Sequence, residues 1–324
     1  MGQKDITEKA LIQQNEVFAD IVNNLVFEGK QQIGEDELEM AGTHFVYQGE
    51  AGFRELERDV SKFWKEKNIR IALFGIENET VPENDMPLRV IGYDGSAYRD
   101  QIKYEIDSEG KRIKTIKCFP VITLVLYFGY KKHWDKAKTL HEALGDTLDD
   151  RIKSLVSDYK MNLYEIAYLT DEQLKGFKSD FRFVADYYVQ MQRTGHYKGS
   201  KEEMKHAREV LQLMAVLTGD GRFADMYDDE DWKKMKGEPK NMCEAIDYYE
   251  QRGIEQGIVR GEDKHLIALI CRKLRKGKDA EQIAEELDED EIRVQMICNI
   301  AEKYAPEFDE EQILKDVLML KELS

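Results

Sequence analysis

Two glutamates stand at the end of an apolar run in the sequence. Glu77 and Glu79 follow residues 69–76, which read Ile-Arg-Ile-Ala-Leu-Phe-Gly-Ile and have the length and character of a buried strand. Because the two glutamates are two positions apart, a strand would place both carboxylates on the same face. Adjacent carboxylates at the edge of a core repel each other, so the pattern predicts a compensating basic side chain or a bound cation.

A third carboxylate, Asp59, lies 18 residues before Glu77. If its segment is the neighbouring strand, Asp59 joins the two glutamates. Oxygen ligands of this kind suit Mg²⁺ or Mn²⁺ rather than zinc. Such an ion polarises phosphoryl oxygens and generates a hydroxide nucleophile near neutral pH. The alternative is a solvated, charged turn with Glu79 facing water, and on spacing alone that arrangement is the more common one.

The elements that would position these residues alternate between strand and helix. They are a helix over 11–26, strands over 119–129 and 162–167, and helices over 88–101, 171–192 and 201–217. Residues 53–64, which contain Asp59, remain ambiguous because their apolar positions fit a helix about as well as a strand.

An ordered set of segments carries a resemblance to a known family. They are Arg58-Asp59-Val60, Ile76-Glu77-Asn78-Glu79, residues 85–93 (Asp-Met-Pro-Leu-Arg-Val-Ile-Gly-Tyr), residues 119–129 (Phe-Pro-Val-Ile-Thr-Leu-Val-Leu-Tyr-Phe-Gly), residues 177–181 and residues 184–187. The set resembles the recombination-promoting nuclease (Rpn) or putative transposase branch of the PD-(D/E)XK nucleases. The similarity extends over most of residues 5–220.

The resemblance implies a DNA endonuclease dependent on Mg²⁺ (or Mn²⁺). The implied fold is α/β and restriction-endonuclease-like, with a mixed central sheet flanked by helices and an all-helical C-terminal tail. Asp59 and Glu77 match the acids that coordinate the metal, Asn78 would lend a backbone carbonyl, and a strand would start near Asp59. Arg89 and Tyr93 fall on the following helix, where Arg89 would contact phosphate, bridge a carboxylate or serve the fold.

The chain departs from this family at the third motif position. Lys is usual there in the superfamily and Gln in this branch, whereas this chain has Glu79. Lysine would stabilise the charge of the pentavalent phosphate. Glutamate cannot do so, although as a third catalytic residue it can bind a second metal or a metal-bound water. Glu79 therefore leaves open a competing hypothesis, a catalytically degenerate nuclease-fold protein that acts as a DNA- or protein-binding assembly module.

The chain is expected to have three parts. They are a nuclease-like domain (1–220), an acidic linker with a glycine-repeat segment (221–262) and a small helical C-terminal module (263–324). In the repeat, Gly253, Gly257 and Gly261 would align along a helix, where each costs about 1 kcal/mol relative to alanine. The segment is therefore either a flexible linker or an oligomerisation helix, and a homo-oligomer through the repeat and the C-terminal helices is one expected outcome.

Charge bears on the choice of partner. The formal net charge is −17, from 48 Lys+Arg and 65 Asp+Glu, which argues against a generic polycation that coats nucleic acid. The charge is uneven, however: residues 97–138 hold ten basic and five acidic side chains, whereas residues 279–324 hold four and fifteen. The basic stretch includes Lys111 and Arg112, which are candidate DNA contacts unless they form only a solvated hairpin loop. DNA therefore remains the expected partner.

The sequence is typical of a cytoplasmic protein. Its cysteines, Cys118, Cys243, Cys271 and Cys298, are far apart and predict reduced, buried thiols. The amino terminus lacks an apolar signal segment, and the longest apolar run, residues 121–130, is too short to cross a bilayer as a helix. No membrane partner is expected.

Overall fold

The computed structural model describes residues 9–49, 52–66, 69–106, 108–116, 118–228 and 240–322. The chain divides into two compact units, Met1–Ile246 and Asp247–Ser324. The division falls inside the segment 221–262, to which the sequence analysis assigns a linker and a glycine repeat.

Nine strands lie in the described part of the first unit. They are β1 (Leu38–Met40), β2 (His44–Gly49), β3 (Gly52–Glu57), β4 (Val60–Glu66), β5 (Ile69–Glu79), β6 (Ile102–Ile106), β7 (Arg112–Ile116), β8 (Val121–Tyr127) and β9 (Asn162–Glu165). Five of them form a mixed sheet in the order β1-β4-β5-β8-β9, in which β1, β4 and β5 are antiparallel neighbours and β5, β8 and β9 run parallel. Strands β2–β3 and β6–β7 form separate hairpins.

Helices separate and follow these strands. In the first unit they are α1 (Asn15–Leu25), α2 (Met86–Asp100), α3 (Leu140–Leu144), α4 (Asp150–Lys153), α5 (Asp171–Gly176), α6 (Phe181–Thr194), α7 (Ala207–Thr218) and α8 (Gly221–Asp228). Helix α9 (Met242–Leu274) runs across the division, and α10 (Ala280–Leu287), α11 (Glu291–Ala301) and α12 (Glu310–Glu322) belong to the second unit. A mixed α/β fold with a helical C-terminal region is therefore confirmed.

Strands β5 and β8 are apolar because helices and loops cover both of their faces. On one face, Phe74 packs edge-on against Phe27, with their ring centroids 6.4 Å apart. On the other face, Met86 and Val90 of α2 pack against Val125 of β8. Burial on both sides explains why these strands appear in the sequence as short, nearly continuous apolar runs.

The ambiguous segment 53–64 forms strand on both sides of Arg58 and Asp59, which connect β3 to β4. Val60 begins the antiparallel pairing of β4 with β5, where it lies opposite Ile76. The strand that the family resemblance implies near Asp59 is therefore present. Local apolar periodicity did not distinguish the two possibilities, because the pairing with β5 decides between them.

Arg58 is fully buried and connects three elements of the first unit. Its Nη2 donates a hydrogen bond to Oδ1 of Asp94 on α2 at 2.8 Å. The same carboxylate accepts hydrogen bonds from Thr123 Oγ1 on β8, at 2.5 Å, and from the hydroxyl of Tyr159. A buried arginine needs such a paired and hydrogen-bonded acid. The network fixes α2 against the sheet.

The expectation of one helix over 171–192 is wrong. Helices α5 and α6 are separate, and the backbone N–H groups of Lys178 and Ser179 between them donate to Oδ2 of Asp20 at 2.8 and 2.7 Å. Asp20 belongs to α1, more than 150 residues earlier in the chain. Local residues also mark the break, since α5 ends at Gly176 and Ser179 Oγ accepts a hydrogen bond from the N–H of Phe181 at the start of α6.

The expectation that all the cysteines are buried is also wrong. Cys271 and Cys298 are buried in the second unit, but Cys118 is exposed and Cys243 is partly exposed, and all of them are free thiols. Cys118 lies in the connection that leads into β8, outside the core.

The second unit has a core of its own, built from one face of each of its helices. Ile270, Ile283, Ile297 and Ile313 are fully buried in it and come from α9, α10, α11 and α12 respectively. No helix among the described residues is sufficiently long and apolar to traverse a bilayer.

The glycine repeat lies within helix α9. A Cβ built on Gly253, Gly257 or Gly261 would meet no described atom within 4 Å. The neighbouring Ile254 and Ile258 are 64% and 57% exposed. Of the two alternatives, a flexible linker and an oligomerisation helix, the segment therefore forms a helix. Its role in oligomerisation stays a prediction.

Replacing Gly75 with alanine is expected to destabilise the first unit by about 1–3 kcal/mol, through overpacking. Gly75 lies on β5 where Arg58 crosses the sheet, and an added Cβ would be 2.3 Å from Arg58 Cδ. The control is Gly95→Ala in the middle of α2, where an added Cβ meets no described atom within 4 Å. The control should be neutral or stabilising by up to about 1 kcal/mol. Urea denaturation measures both variants, and equal midpoints would contradict this account of Gly75.

Candidate active site

The predicted acidic residues meet where β4 begins beside the end of β5. Because Val60 lies opposite Ile76, the preceding Asp59 comes next to Glu77. Oδ2 of Asp59 accepts a hydrogen bond from the backbone N–H of Asn78 at 2.8 Å. The structure therefore brings Asp59, Glu77 and Asn78 together at one edge of the sheet.

Glu77 and Glu79 lie on the same face of β5, the face covered by α2. Their side chains are 2% and 14% exposed, respectively. The side chain of Asn78, between them, points to the opposite face. The same-face arrangement is confirmed, and the alternative of a solvated turn with Glu79 facing water is wrong.

Arg89 of α2 is the basic side chain that compensates these acids. Its Nη1 lies 2.7 Å from Glu79 Oε1 and its Nη2 lies 3.4 Å from Glu77 Oε2. Nη1 is also 3.6 Å from Oε2 of the exposed Glu83. The Arg89 Nε donates to the Tyr93 hydroxyl at 3.4 Å. Of the roles considered for Arg89, the bridging of carboxylates is therefore present in the structure.

Burial dominates the electrostatics of this site. Desolvation, followed by the negative charge of Asp59, raises the pKa of Glu77 well above its ordinary value, although Arg89 opposes the shift. Desolvation also raises the pKa of Glu79 against the opposing effect of Arg89. Burial and the nearby charge of Glu77 raise the pKa of Tyr93 to about 12. Arg58 also opposes the shift at Glu77, and the two guanidinium groups together do not offset the burial of this acid.

The donor atoms at this edge fit a hard divalent cation. Oε1 of Glu77 is buried and has no hydrogen-bond partner. Because the N–H of Asn78 points towards Asp59, its carbonyl leaves the strand on the same side. Within the part of the chain that the structure describes, no three acidic, histidine or cysteine side chains are grouped to hold a metal ion. The available set is two carboxylates and a carbonyl, which suits Mg²⁺ because that ion usually keeps several waters.

The remaining predicted DNA contacts, Lys111 and Arg112, are not part of this cluster. They lie on the β6–β7 hairpin, which follows the far end of α2. Helix α2 has 15 residues, and a helix of that length spans roughly 22 Å at 1.5 Å per residue. The DNA contacts predicted from the sequence therefore lie at two separate places on the first unit.

Sequence reasoning missed the residues that position the site. Arg58 and Asp94 fix α2 against the sheet, and Glu83 adds a third acid around Arg89. Gly75 was the signal in the sequence that could have indicated Arg58, because a glycine inside an apolar strand commonly marks a close approach of another group.

No protein-family model, curated protein or solved structure matches this chain. The fold and the geometry of the site therefore carry the functional argument, together with the motifs in the sequence.

Glu77→Gln is expected to stabilise the metal-free protein at pH 7 by about 1 kcal/mol or more, which corresponds to ~2–4 °C in Tm. The folded-state pKa of Glu77 is raised above its ordinary value of 4.5. The folded wild type therefore loses stability as pH rises above that value, and below it Glu77 is protonated in both folded and unfolded states. Thermal unfolding in EDTA from pH 4 to pH 8 measures the difference.

Glu83→Gln is the matched control for this measurement. Its carboxylate also faces Arg89, but its side chain is 54% exposed, so no gain in stability is expected. A Glu77→Gln variant that is less stable than wild type at pH 7, or equally stabilised at pH 4, would contradict the account of Glu77.

Proposed function

We propose that this chain is a metal-dependent DNA endonuclease that hydrolyses phosphodiester bonds, with a restriction-endonuclease-like PD-(D/E)XK fold. The observation that carries the proposal is the buried oxygen of Glu77, which has no hydrogen-bond partner and lies beside Asp59 at the edge of a mixed sheet. A carboxylate buried in this setting is charged at neutral pH only if positive charge offsets its burial, and a bound cation would add to the charge of Arg89 and Arg58. The ordered motifs that resemble Rpn proteins support DNA as substrate, in a cytoplasmic role linked to recombination or mobile elements.

Asp59 and Glu77 would hold Mg²⁺ or Mn²⁺ through their carboxylates, and Asn78 through its backbone carbonyl. When bound, such an ion polarises a phosphoryl oxygen and lowers the pKa of water, which is the chemistry that phosphodiester hydrolysis needs. The hydrogen bond from the Asn78 N–H orients Asp59. Burial beneath α2 excludes water from Glu77, and this strengthens its interaction with any positive charge.

In this proposal, Arg89 supplies the positive charge that Lys carries at the third motif position in the superfamily. Glu79, predicted as a catalytic residue, acts by holding the Arg89 guanidinium at 2.7 Å. The Arg89 side chain is 29% exposed, so a phosphate can reach it. Guanidinium remains protonated at all physiological pH values and donates paired hydrogen bonds to phosphate oxygens.

One observation favours a second candidate function. Arg89 lies near Glu77, Glu79 and Glu83 at the same time and therefore resembles a permanent counter-ion. A site neutralised in this way needs no metal. The first unit would then be a catalytically degenerate nuclease-fold protein that binds DNA or a protein. The exposed glycine-repeat helix would join copies of the chain into a homo-oligomer.

Wild-type protein is expected to cut supercoiled plasmid in the presence of Mg²⁺ or Mn²⁺. Asp59→Asn and Glu77→Gln should lower the rate by about 100-fold or more, because each removes a charged donor from the site. Glu39→Gln is the control, since Glu39 lies on β1 and pairs with Lys65 at 3.2 Å. Gel electrophoresis measures nicked and linear products. Intact plasmid with wild type, or equal cutting by all variants, would rule out the nuclease.

Arg89→Met separates the two candidate functions. It removes the charge that competes for Glu77, so a nuclease should bind Mn²⁺ several-fold more tightly and cut DNA more slowly. Isothermal titration calorimetry measures the affinity. Arg99→Met is the control, because Arg99 is an exposed residue in the last turn of the same helix. If Mn²⁺ binds neither wild type nor Arg89→Met, the second candidate is supported.

A further inference from the structure

The β6–β7 hairpin exposes apolar side chains that have no evident structural use. It is a two-stranded sheet that no other described strand joins. Tyr104 and Ile106, on one face of the hairpin, are 55% and 76% exposed, and Ile113, on the other face, is 47% exposed. An isolated hairpin is marginally stable, and neighbouring exposed apolar side chains such as Tyr104 and Ile106 are typical of an interaction surface.

The two faces of this hairpin differ in charge. Tyr104 lies opposite Lys114, and Ile106 lies opposite Arg112, so these side chains share one face. We call this surface, formed by Tyr104, Ile106, Arg112 and Lys114, the ribbon face. Glu105, the only acidic residue of the two strands, lies on the other face.

The ribbon face also has a defined internal arrangement. The Cζ atom of Arg112 lies 4.0 Å from the centroid of the Tyr104 ring, as in a cation–π contact. The stacked guanidinium is held over the ring while its N–H groups remain at the surface. Arg112 and Lys114 are both exposed.

We infer that the ribbon face docks onto double-stranded DNA. Two basic and two apolar or aromatic side chains, with no acid among them, complement a phosphate backbone even though the whole chain carries a charge of −17. The major groove of B-DNA, about 12 Å wide, admits a two-stranded ribbon.

A duplex fits the ribbon face better than a single strand. Proteins that bind single strands use successive aromatic rings on which bases stack. The ribbon face offers one ring, and Arg112 covers it. The charged groups of the ribbon face would therefore bind DNA electrostatically, through contacts with phosphates and with groove edges.

This inference rests on the proposed function for its biological meaning, because it gives the nuclease a second contact with its substrate. Helix α2 connects the two places and has 15 residues, which corresponds to roughly 22 Å. At 3.4 Å per base pair, that is about 6–7 base pairs. The hairpin would therefore contact the duplex about 6–7 base pairs from the bond to be cut.

The test measures binding without cleavage. Full-length protein in EDTA is titrated into a fluorescein-labelled duplex of 30 base pairs, and fluorescence anisotropy is followed from 50 to 200 mM salt. The double variant Arg112→Ala/Lys114→Ala should bind at least tenfold more weakly at 100 mM salt. The slope of log K against log salt should fall by about 1.8, because two phosphate contacts are lost.

Lys103→Ala is the matched control, because Lys103 lies on the opposite face of the same hairpin. It removes one charge and should change the affinity by less than twofold. Tyr104→Ala should weaken binding with no change in the salt slope. Circular dichroism melting of each variant should match wild type, since the ribbon face lies outside both cores.

Several results would overturn the inference. They are a wild type that does not bind the duplex, a double variant that binds as wild type does, and a preference of more than tenfold for the matching single strand. Sedimentation velocity adds another: if the double variant loses self-association while DNA binding is unchanged, the ribbon face contacts a second copy of the chain.

The outcome is separable from that of the plasmid assay. Duplex binding that depends on the ribbon face, without any cleavage by wild type, would support the inference and remove the nuclease proposal. If wild type cuts DNA, and wild type and the double variant bind the duplex equally well, the inference fails while the nuclease proposal stands.

Discussion

The buried ion pair between Arg58 and Asp94 is the constraint on which the arrangement of the first unit depends. The two side chains are 0% and 4% exposed, and their N–O distance is 2.8 Å. Asp59 directly follows Arg58 in the chain, and Arg89 lies on the same helix as Asp94. Fixing this pair therefore fixes both the acidic edge of the sheet and the arginine above it. Removal of one partner from such a pair typically costs about 3–5 kcal/mol, because the other charge stays buried.

In the candidate site, the acids Asp59, Glu77 and Glu79 are only partly offset by Arg89 and by the nearby Arg58. Burial raises the pKa of Glu77, and Asp59 adds to that effect because the two carboxylates repel each other. Arg89 binds Glu79 most closely and reaches Glu77 only at 3.4 Å. The site is therefore electrostatically incomplete at its most buried point, and the two functional proposals differ in what completes it. In one, a cation joins Asp59 and Glu77; in the other, partial compensation by Arg89 is sufficient.

Features with a local cause could be predicted from the sequence, and features with a distant cause could not. Alternation along β5 was enough to place Glu77 and Glu79 on one face. The contact that holds the connection between α5 and α6 was not predictable, since its acceptor is Asp20 in α1. The burial of Arg58 was also not predictable from residue type, because arginine is usually exposed. The role of Arg89 required the packing of α2 on the sheet, which sequence spacing does not provide.

Positions 58, 75 and 94 form a set that cannot vary independently. Arg58 reaches Asp94 only because Gly75 has no side chain, with an added Cβ lying 2.3 Å from Arg58 Cδ. A larger residue at 75 becomes acceptable once a shorter side chain stands at 58, and that change in turn leaves Asp94 with its hydrogen bonds from Thr123 and Tyr159 but without its ion-pair partner. Substitution at one of these three positions therefore requires a compensating change at another. The buried pair limits the evolutionary paths open to the acidic edge beside it.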